Sequence, residues 1–208
     1  MAEAPSLPGE LLLPDTDVPE GRIRTQELGE PRPGVPPVLV IQGMAVSDYL
    51  LPACAALGEW TRVALLELPG YGGSGAPRRW LDVRGYGGAV AHWLEATGTQ
   101  RAVVVGHSSG TQVAAWAGVL CPERVAGVAL ASPTVDPAAR SLPRLPMPVL
   151  VLRAERDRLS TDTWVARLTD LAPDARGVRL PGAHAFVWSH PGAWSEPVRE
   201  LATRVGPT

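Results

Sequence analysis

Chemistry in this chain concentrates in one pentapeptide, Gly106-His107-Ser108-Ser109-Gly110. It follows the most hydrophobic run, Ala102-Val103-Val104-Val105, and opens a segment from Ser109 to Leu120 that reads as a helix. A G-x-S-x-G sequence in that setting is a sharp strand-to-helix turn that presents a strained, exposed serine hydroxyl. The flanking glycines let backbone approach backbone, and the helix aims its free N–H groups and its dipole at the same point. Ser108 is therefore the candidate nucleophile.

A serine nucleophile needs a base, an acid that orients the base, and donors for the oxyanion. The chain has four histidines. His92 lies inside a helical segment beside Trp93, and His107 belongs to the turn itself, where its side chain points away from the hydroxyl; both read as structural. His184, in Pro181-Gly182-Ala183-His184, follows the last strand signal and can bend back over a sheet, which makes it the candidate base with His190 in reserve. For the acid, the run Val149–Leu152 leads into Arg153-Ala154-Glu155-Arg156-Asp157. Asp157 stands just beyond that strand, with Glu155 and Asp136 as competitors. The backbone N–H of Ser109 is one oxyanion donor. The loop Gln42-Gly43-Met44 offers the second, assigned to the N–H of Met44, with Gly43 giving the backbone its freedom.

The elements that must position these groups alternate along the chain. Weak strand signals at Glu10–Leu13 and Arg22–Leu28 lie in a Pro-rich segment of the first 36 residues. After it come strand signals at Val38–Ile41, Val63–Leu66, Ala102–Val105, Val125–Leu130, Val149–Leu152 and Val178–Leu180. Helical signals separate them at Ser47–Leu57 with Ser47 as N-cap, Leu81–Ala96, Ser109–Leu120, Thr161–Leu171 and Ala193–Val205. Short apolar runs alternating with helices of this length imply an α/β domain, a mostly parallel sheet of about eight strands with helices on both faces. Residues 1–208 read as one domain, a Pro-rich segment 1–36 followed by a core 37–205. Ligands of such sheets bind at the C-terminal strand ends, where the pentapeptide falls.

Composition narrows the chemistry further. With 208 residues, 45% hydrophobic, the chain can bury a full core. Its formal charge of −2 leaves no electrostatic footprint for nucleic acid. All 19 cations are Arg. Without Lys there is no Schiff-base chemistry, no Lys-anchored pyridoxal phosphate and no Gly-Lys phosphate-binding loop. Cys54 and Cys121 are too few for a disulfide scaffold or a four-ligand zinc site and read as small buried hydrophobes. No apolar run approaches a membrane span, and the first residues do not read as a secretory signal. The expected setting is the cytoplasm, with no membrane partner and no metal or cofactor.

Several separate segments together resemble the α/β-hydrolase family over roughly residues 37 to 205. Glu67-Leu68-Pro69-Gly70-Tyr71-Gly72-Gly73-Ser74 is similar to the family's D-x-P-G-x-G-x-S turn, and Gly106–Gly110 to its nucleophile elbow. Pro148 to Asp157 resembles the strand carrying the acid, with Ala154 in place of the usual Gly, and Gly182-Ala183-His184 the segment carrying the base. The chain order Ser108, Asp157, His184 is that of the family's nucleophile, acid and base. Departures are informative too. Gln42-Gly43 stands where the family usually has His-Gly, and Ser rather than Asp at position 108 argues against the dehalogenases and epoxide hydrolases of this fold. The interval from Ser132 to Pro148 is only 17 residues long, too short for a helical cap domain.

The resemblance implies a lidless serine hydrolase acting on an ester or thioester of a small, apolar substrate. Gln42, Gly43, Tyr71, Phe186 and Trp188 lie near strand ends and are the candidate pocket lining, joined by Met44 and Tyr49. Two other classes stay open: a biosynthetic lyase or cyclase reusing the same triad, and a non-catalytic binding protein.

Overall fold

The computed structural model describes residues 11–43, 46–134 and 140–206. Eight strands lie side by side in the order β1 (Leu11–Leu12), β3 (Gly21–Leu28), β5 (Val63–Glu67), β4 (Val38–Ile41), β6 (Ala102–His107), β7 (Val125–Ala131), β8 (Val149–Ala154) and β9 (Ala175–Leu180). A ninth, β2 (Thr16–Val18), folds antiparallel onto β3. From β5 to β9 all neighbours are parallel, and the antiparallel pairings are confined to β1, β2 and β3.

Helices α1 (Leu51–Gly58), α5 (Phe186–Ser189) and α6 (Ser195–Val205) cover one face; α2 (Val83–Ala96), α3 (Gly110–Leu120) and α4 (Asp162–Leu171) cover the other. Burial on both faces explains why the central strands are continuous apolar runs rather than alternating ones. Along β4, Leu39 and Ile41 join one core while Val38 and Val40 join the other. The same period of two splits β6, with Val104 on the first face and Val103 and Val105 on the second.

The strand order reverses at β4, which has β5 on one side and β6 on the other. A crevice at the carboxyl ends of such a pair is where open α/β sheets bind ligands. Gln42 and Gly43 leave β4 there and Ser108 leaves β6. Between β7 and β8 the described residues hold one short 3-10 turn, Leu142–Arg144, and no cap. Among the described residues no helix is long and apolar enough to cross a membrane.

Most element bounds match the sequence expectations within a few residues, and the differences have physical causes. Ser47 is not an N-cap: residues Ser47–Leu50 form a 3-10 turn, and the Ser47 hydroxyl donates 2.5 Å to Glu67 Oε1. The α-helix starts only at Leu51, where Pro52, lacking an N–H, fits the first turn. Helix α2 begins two residues late because Asp82 caps it, its Oδ1 accepting from Gly85 N–H at 2.7 Å. Strand β9 extends back to Ala175 through exposed Arg176 and Gly177, an edge strand whose polar start hides its pairing with β8.

Candidate active site

The elbow is built as its sequence requires. Ser108 has φ +54, a left-handed conformation that costs a non-glycine residue about 1–3 kcal/mol. Its surroundings hold it there: its N–H donates to Ala131 O at 2.9 Å, and its carbonyl accepts from Thr111 N–H at 3.1 Å and Thr111 Oγ1 at 2.6 Å. Glycines are obligatory on both sides. A Cβ at Gly106 would stand 2.2 Å from Gly110 O, and one at Gly110 would stand 2.4 Å from Gln42 O. Strand β6, helix α3 and the end of β4 thus meet backbone to backbone.

His184 comes to the hydroxyl from the loop after β9, its Nε2 3.0 Å from Ser108 Oγ. On the other side of the ring, Nδ1 lies 3.0 Å from Asp157 Oδ2. Asp157 is buried at the end of β8. Burial alone would raise its pKa. The Ser160 N–H, the nearby Ser132 hydroxyl, His184 and the Leu159 N–H outweigh that and hold the carboxyl below its ordinary value. The two backbone donors reach Oδ1 at 3.0 and 2.9 Å. Ser132, at φ +50, donates its backbone N–H to Leu152 O at 2.8 Å, which holds its hydroxyl near the carboxyl. An ionised Asp157 only accepts, which puts the hydrogen of neutral His184 on Nδ1 and leaves the Nε2 lone pair for the serine proton.

Arg153 fixes the loop that carries the acid. Its guanidinium, carried by the penultimate residue of β8, donates to the carbonyls of Ser160, Glu155 and Asp157 at 2.7, 3.3 and 3.3 Å and faces Asp162 at 3.2 Å. Glu155, the sequence competitor for the acid, has its side chain in solvent while its backbone N–H pairs with Leu180 O. Among the described residues nothing accepts from the Ser109 N–H, which leads into α3 beside Ser108. Met44, the other expected oxyanion donor, and Asp136 lie outside the described residues.

The expected lining residues fare unequally. Gly43 sits against the nucleophile, since a Cβ there would stand 3.1 Å from Ser108 Cβ. Gln42 is buried, and neither polar atom of its side chain has a hydrogen-bond partner among the described residues. Tyr71 packs edge-on against Tyr86 with ring centroids 6.0 Å apart. Phe186 is a correction. It is fully buried, wedged between His107 and Trp194, because the short helix α5 turns its apolar face onto the core. Trp188, two residues on, points outward and is 59% exposed. Two clefts, of about 240 and 420 Å³, open elsewhere, lined by residues such as Val149, Arg176 and Glu200 or Arg101, Met147 and Arg204, and neither includes a residue of this site.

Sequence reasoning left His107 outside the site and gave Tyr49 only a pocket-lining place, whereas the structure puts both beside the triad. His107 lies buried between Tyr49 and His184, its Nδ1 2.9 Å from Tyr49 Oη and its Nε2 3.0 Å from His184 O. Tyr49 Oη in turn accepts from Gly43 N–H at 3.0 Å. The turn Glu67–Ser74 is structural: Glu67, buried, accepts from Ser47 Oγ and Gly73 N–H, and its carbonyl accepts from Ser74 Oγ. The other two histidines face outward contacts, His92 with Glu20 Oε2 at 2.9 Å and His190 with Ser189 Oγ at 2.9 Å. No group of three metal-ligating side chains occurs among the described residues.

Comparison with known proteins agrees with this geometry at the level of fold. Residues 36–144 match the family described as alpha/beta hydrolase fold. Over 74 residues, 35% of the chain, it is 42% identical to the pimeloyl-[acyl-carrier protein] methyl ester esterase of Klebsiella pneumoniae subsp. pneumoniae, covering 28% of that protein. Over 128 residues, 59% of the chain, it is 34% identical to epoxide hydrolase A of Mycobacterium tuberculosis, covering 38% of that protein. The chain thus spans well under half the length of these curated relatives. Among solved structures, the enol-lactonase from Burkholderia xenovorans LB400 superposes with a TM-score of 0.80 at 17% identity, over 91% of this chain and 100% of that one.

Proposed function

The chain belongs to the α/β-hydrolase fold family, and from that premise we propose that it is a serine hydrolase cleaving an ester or thioester of a small, apolar substrate. The observation that carries this reading is the unbroken run of contacts from Ser108 Oγ to His184 Nε2 and from His184 Nδ1 to Asp157 Oδ2, both at 3.0 Å. As Ser108 Oγ attacks the carbonyl carbon, its proton passes to His184 Nε2, and Asp157 stabilises the imidazolium that forms. The negative oxygen of the tetrahedral intermediate is held by the N–H groups of Ser109 and Met44. Collapse breaks the bond to the alcohol or thiol, which leaves with the proton from His184. Water then attacks the acyl-serine with His184 as base, the bond from Ser108 Oγ to the acyl carbon breaks, and the acid leaves as the proton returns from His184 to Ser108.

A serine at position 108 favours acyl transfer over epoxide opening, for which relatives of this fold use a carboxylate nucleophile. The ester-cleaving names among the similar proteins support the same class. Exposed Trp188, four residues after His184 in the chain, would suit contact with an apolar substrate portion.

Ser108→Ala tests the proposal. The variant is expected to lose nitrophenyl ester hydrolysis by about 10³-fold or more, with a melting temperature close to that of the parent, because the hydroxyl is partly open to solvent. Undiminished turnover by a folded Ser108→Ala protein would contradict it and favour direct base chemistry by His184.

A further inference from the structure

Tyr49 takes no part in the proton shuttle, yet it joins the loops on which the shuttle depends. Its hydroxyl accepts from Gly43 N–H at 3.0 Å, on the loop after β4, and lies 2.9 Å from His107 Nδ1, on the elbow. The far edge of the same imidazole reaches the loop after β9, where Nε2 lies 3.0 Å from the carbonyl oxygen of His184. The rings are close-packed along this line, Tyr49 to His107 at 5.4 Å between centroids and His107 to His184 at 5.3 Å.

The direction of every bond follows from what each group can do. A carbonyl oxygen only accepts, so His107 Nε2 carries the hydrogen. Burial, foremost, pushes the His107 pKa down to about 4, so the ring is neutral near pH 7 and Nδ1 holds a lone pair. Burial likewise pushes the Tyr49 hydroxyl up to about 12, so it keeps its proton and donates that proton to Nδ1. Its oxygen remains free to accept from Gly43. The hydrogens all point one way, from Gly43 through Tyr49 and His107 to His184, and each donor has one acceptor to match it.

We propose that Tyr49, acting through His107, is a positioning residue that sets the oxyanion loop and the base loop against the nucleophile elbow. The inference rests on the proposed function, since it assigns Tyr49 a role only if Ser108 is acylated. The clearances give it leverage. A Cβ at Gly43 would stand 3.1 Å from Ser108 Cβ and 3.3 Å from Tyr49 Oη, so the loop, the hydroxyl and the nucleophile share one packed contact. His184 O belongs to the base residue itself. Deleting the Tyr49 hydroxyl leaves Gly43 N–H and His107 Nδ1 unmatched, and a shift in either loop moves a reacting group or an oxyanion donor. Placement errors of this kind act on the transition state more than on substrate binding.

The test uses Tyr49→Phe, which keeps the ring and its edge contact with His107, and His107→Phe, which cuts the same chain from the other side. Each is assayed, at a temperature where circular dichroism shows it folded, for kcat and KM on a nitrophenyl ester and for the rate of Ser108 phosphonylation by a nitrophenyl phosphonate. The expected result for either folded variant is a fall of about tenfold or more in kcat and in phosphonylation rate, with KM within about threefold, and no further loss in the double variant. A merely structural role would lower the melting temperature and leave the rates of the folded protein unchanged, which overturns the proposal. Nitrogen-15 NMR of the histidines in the parent protein supplies a readout free of any variant: His107 is expected as the Nε2–H tautomer, and an Nδ1–H tautomer overturns the relay. A parent protein whose Ser108 is never phosphonylated contradicts the proposed function and the positioning role together, whereas normal phosphonylation of both parent and variants contradicts the relay alone.

Discussion

Acidification from pH 7.5 to 4.5 is expected to weaken the fold chiefly through His107. Its imidazole is 3% exposed, and burial lowers its pKa from 6.5 to about 4, against the opposing pull of the His184 carbonyl and the Asp157 charge. In the unfolded chain the ring protonates as pH falls through 6.5; in the folded protein it resists until about 4. The unfolded state therefore binds more protons across that window, and stability falls as pH falls through it. At 1.36 kcal/mol per pH unit the loss between pH 7.5 and 4.5 comes to about 2.5 kcal/mol. Asp157, whose pKa lies below the ordinary carboxylate value in the folded state, contributes in the same direction only at lower pH. The assay is urea unfolding at both pH values for the parent and for His107→Gln, which lacks the titrating ring while keeping every other histidine. The parent should lose about 2.5 kcal/mol more than the variant, close to a 1 M difference in midpoint shift at ordinary urea slopes. Equal losses in the two proteins, within about 0.5 kcal/mol, would refute the idea that a neutral, buried His107 underlies the acid sensitivity.

Asp157→Asn should lower kcat by about 10³- to 10⁴-fold, because the imidazole loses its acceptor and adopts the wrong tautomer. Glu155→Gln, with its side chain in solvent, should cost less than about tenfold in the same assay, and the reverse order would move the acid to another residue. With only 17 residues between β7 and β8 and no cap among those described, the acyl site should be open. Across a series of nitrophenyl esters, one added methylene should then change kcat/KM by no more than the ~1–3 kcal/mol of a closed apolar pocket. A sharp optimum with a larger step would mean the acyl group is enclosed.

What could be read from the sequence divides along physical lines. Buried parallel strands are apolar throughout, so β4, β5, β6, β7 and β8 stand out as runs of Val, Leu, Ile and Ala. Edge elements carry no such signature. The three residues of β2, Thr16-Asp17-Val18, and the start of β9, Ala175-Arg176-Gly177, are held by neighbours far away in the chain rather than by their own composition. The same contrast runs through the site. Ser108 lies in a local turn motif whose glycines are there for close backbone contact, and the structure brings His184 and Asp157 to it as their places after strands suggested. Phe186 was misjudged because proximity to His184 in sequence says nothing of which way a one-turn helix faces. Tyr49 and His107 are 58 positions apart and meet only because β4 and β6 are neighbours in the sheet. Nothing local announces that contact.

The central claim is that Ser108 is an activated nucleophile. Intact-protein and peptide mass spectrometry after brief treatment with a fluorophosphonate tests it most directly. The expected result is a single phosphonyl adduct on the peptide carrying Ser108, formed quickly in the parent, slowed strongly in His184→Ala and absent in Ser108→Ala. A folded parent protein that forms no adduct at Ser108, or that is labelled equally well without His184, would contradict it.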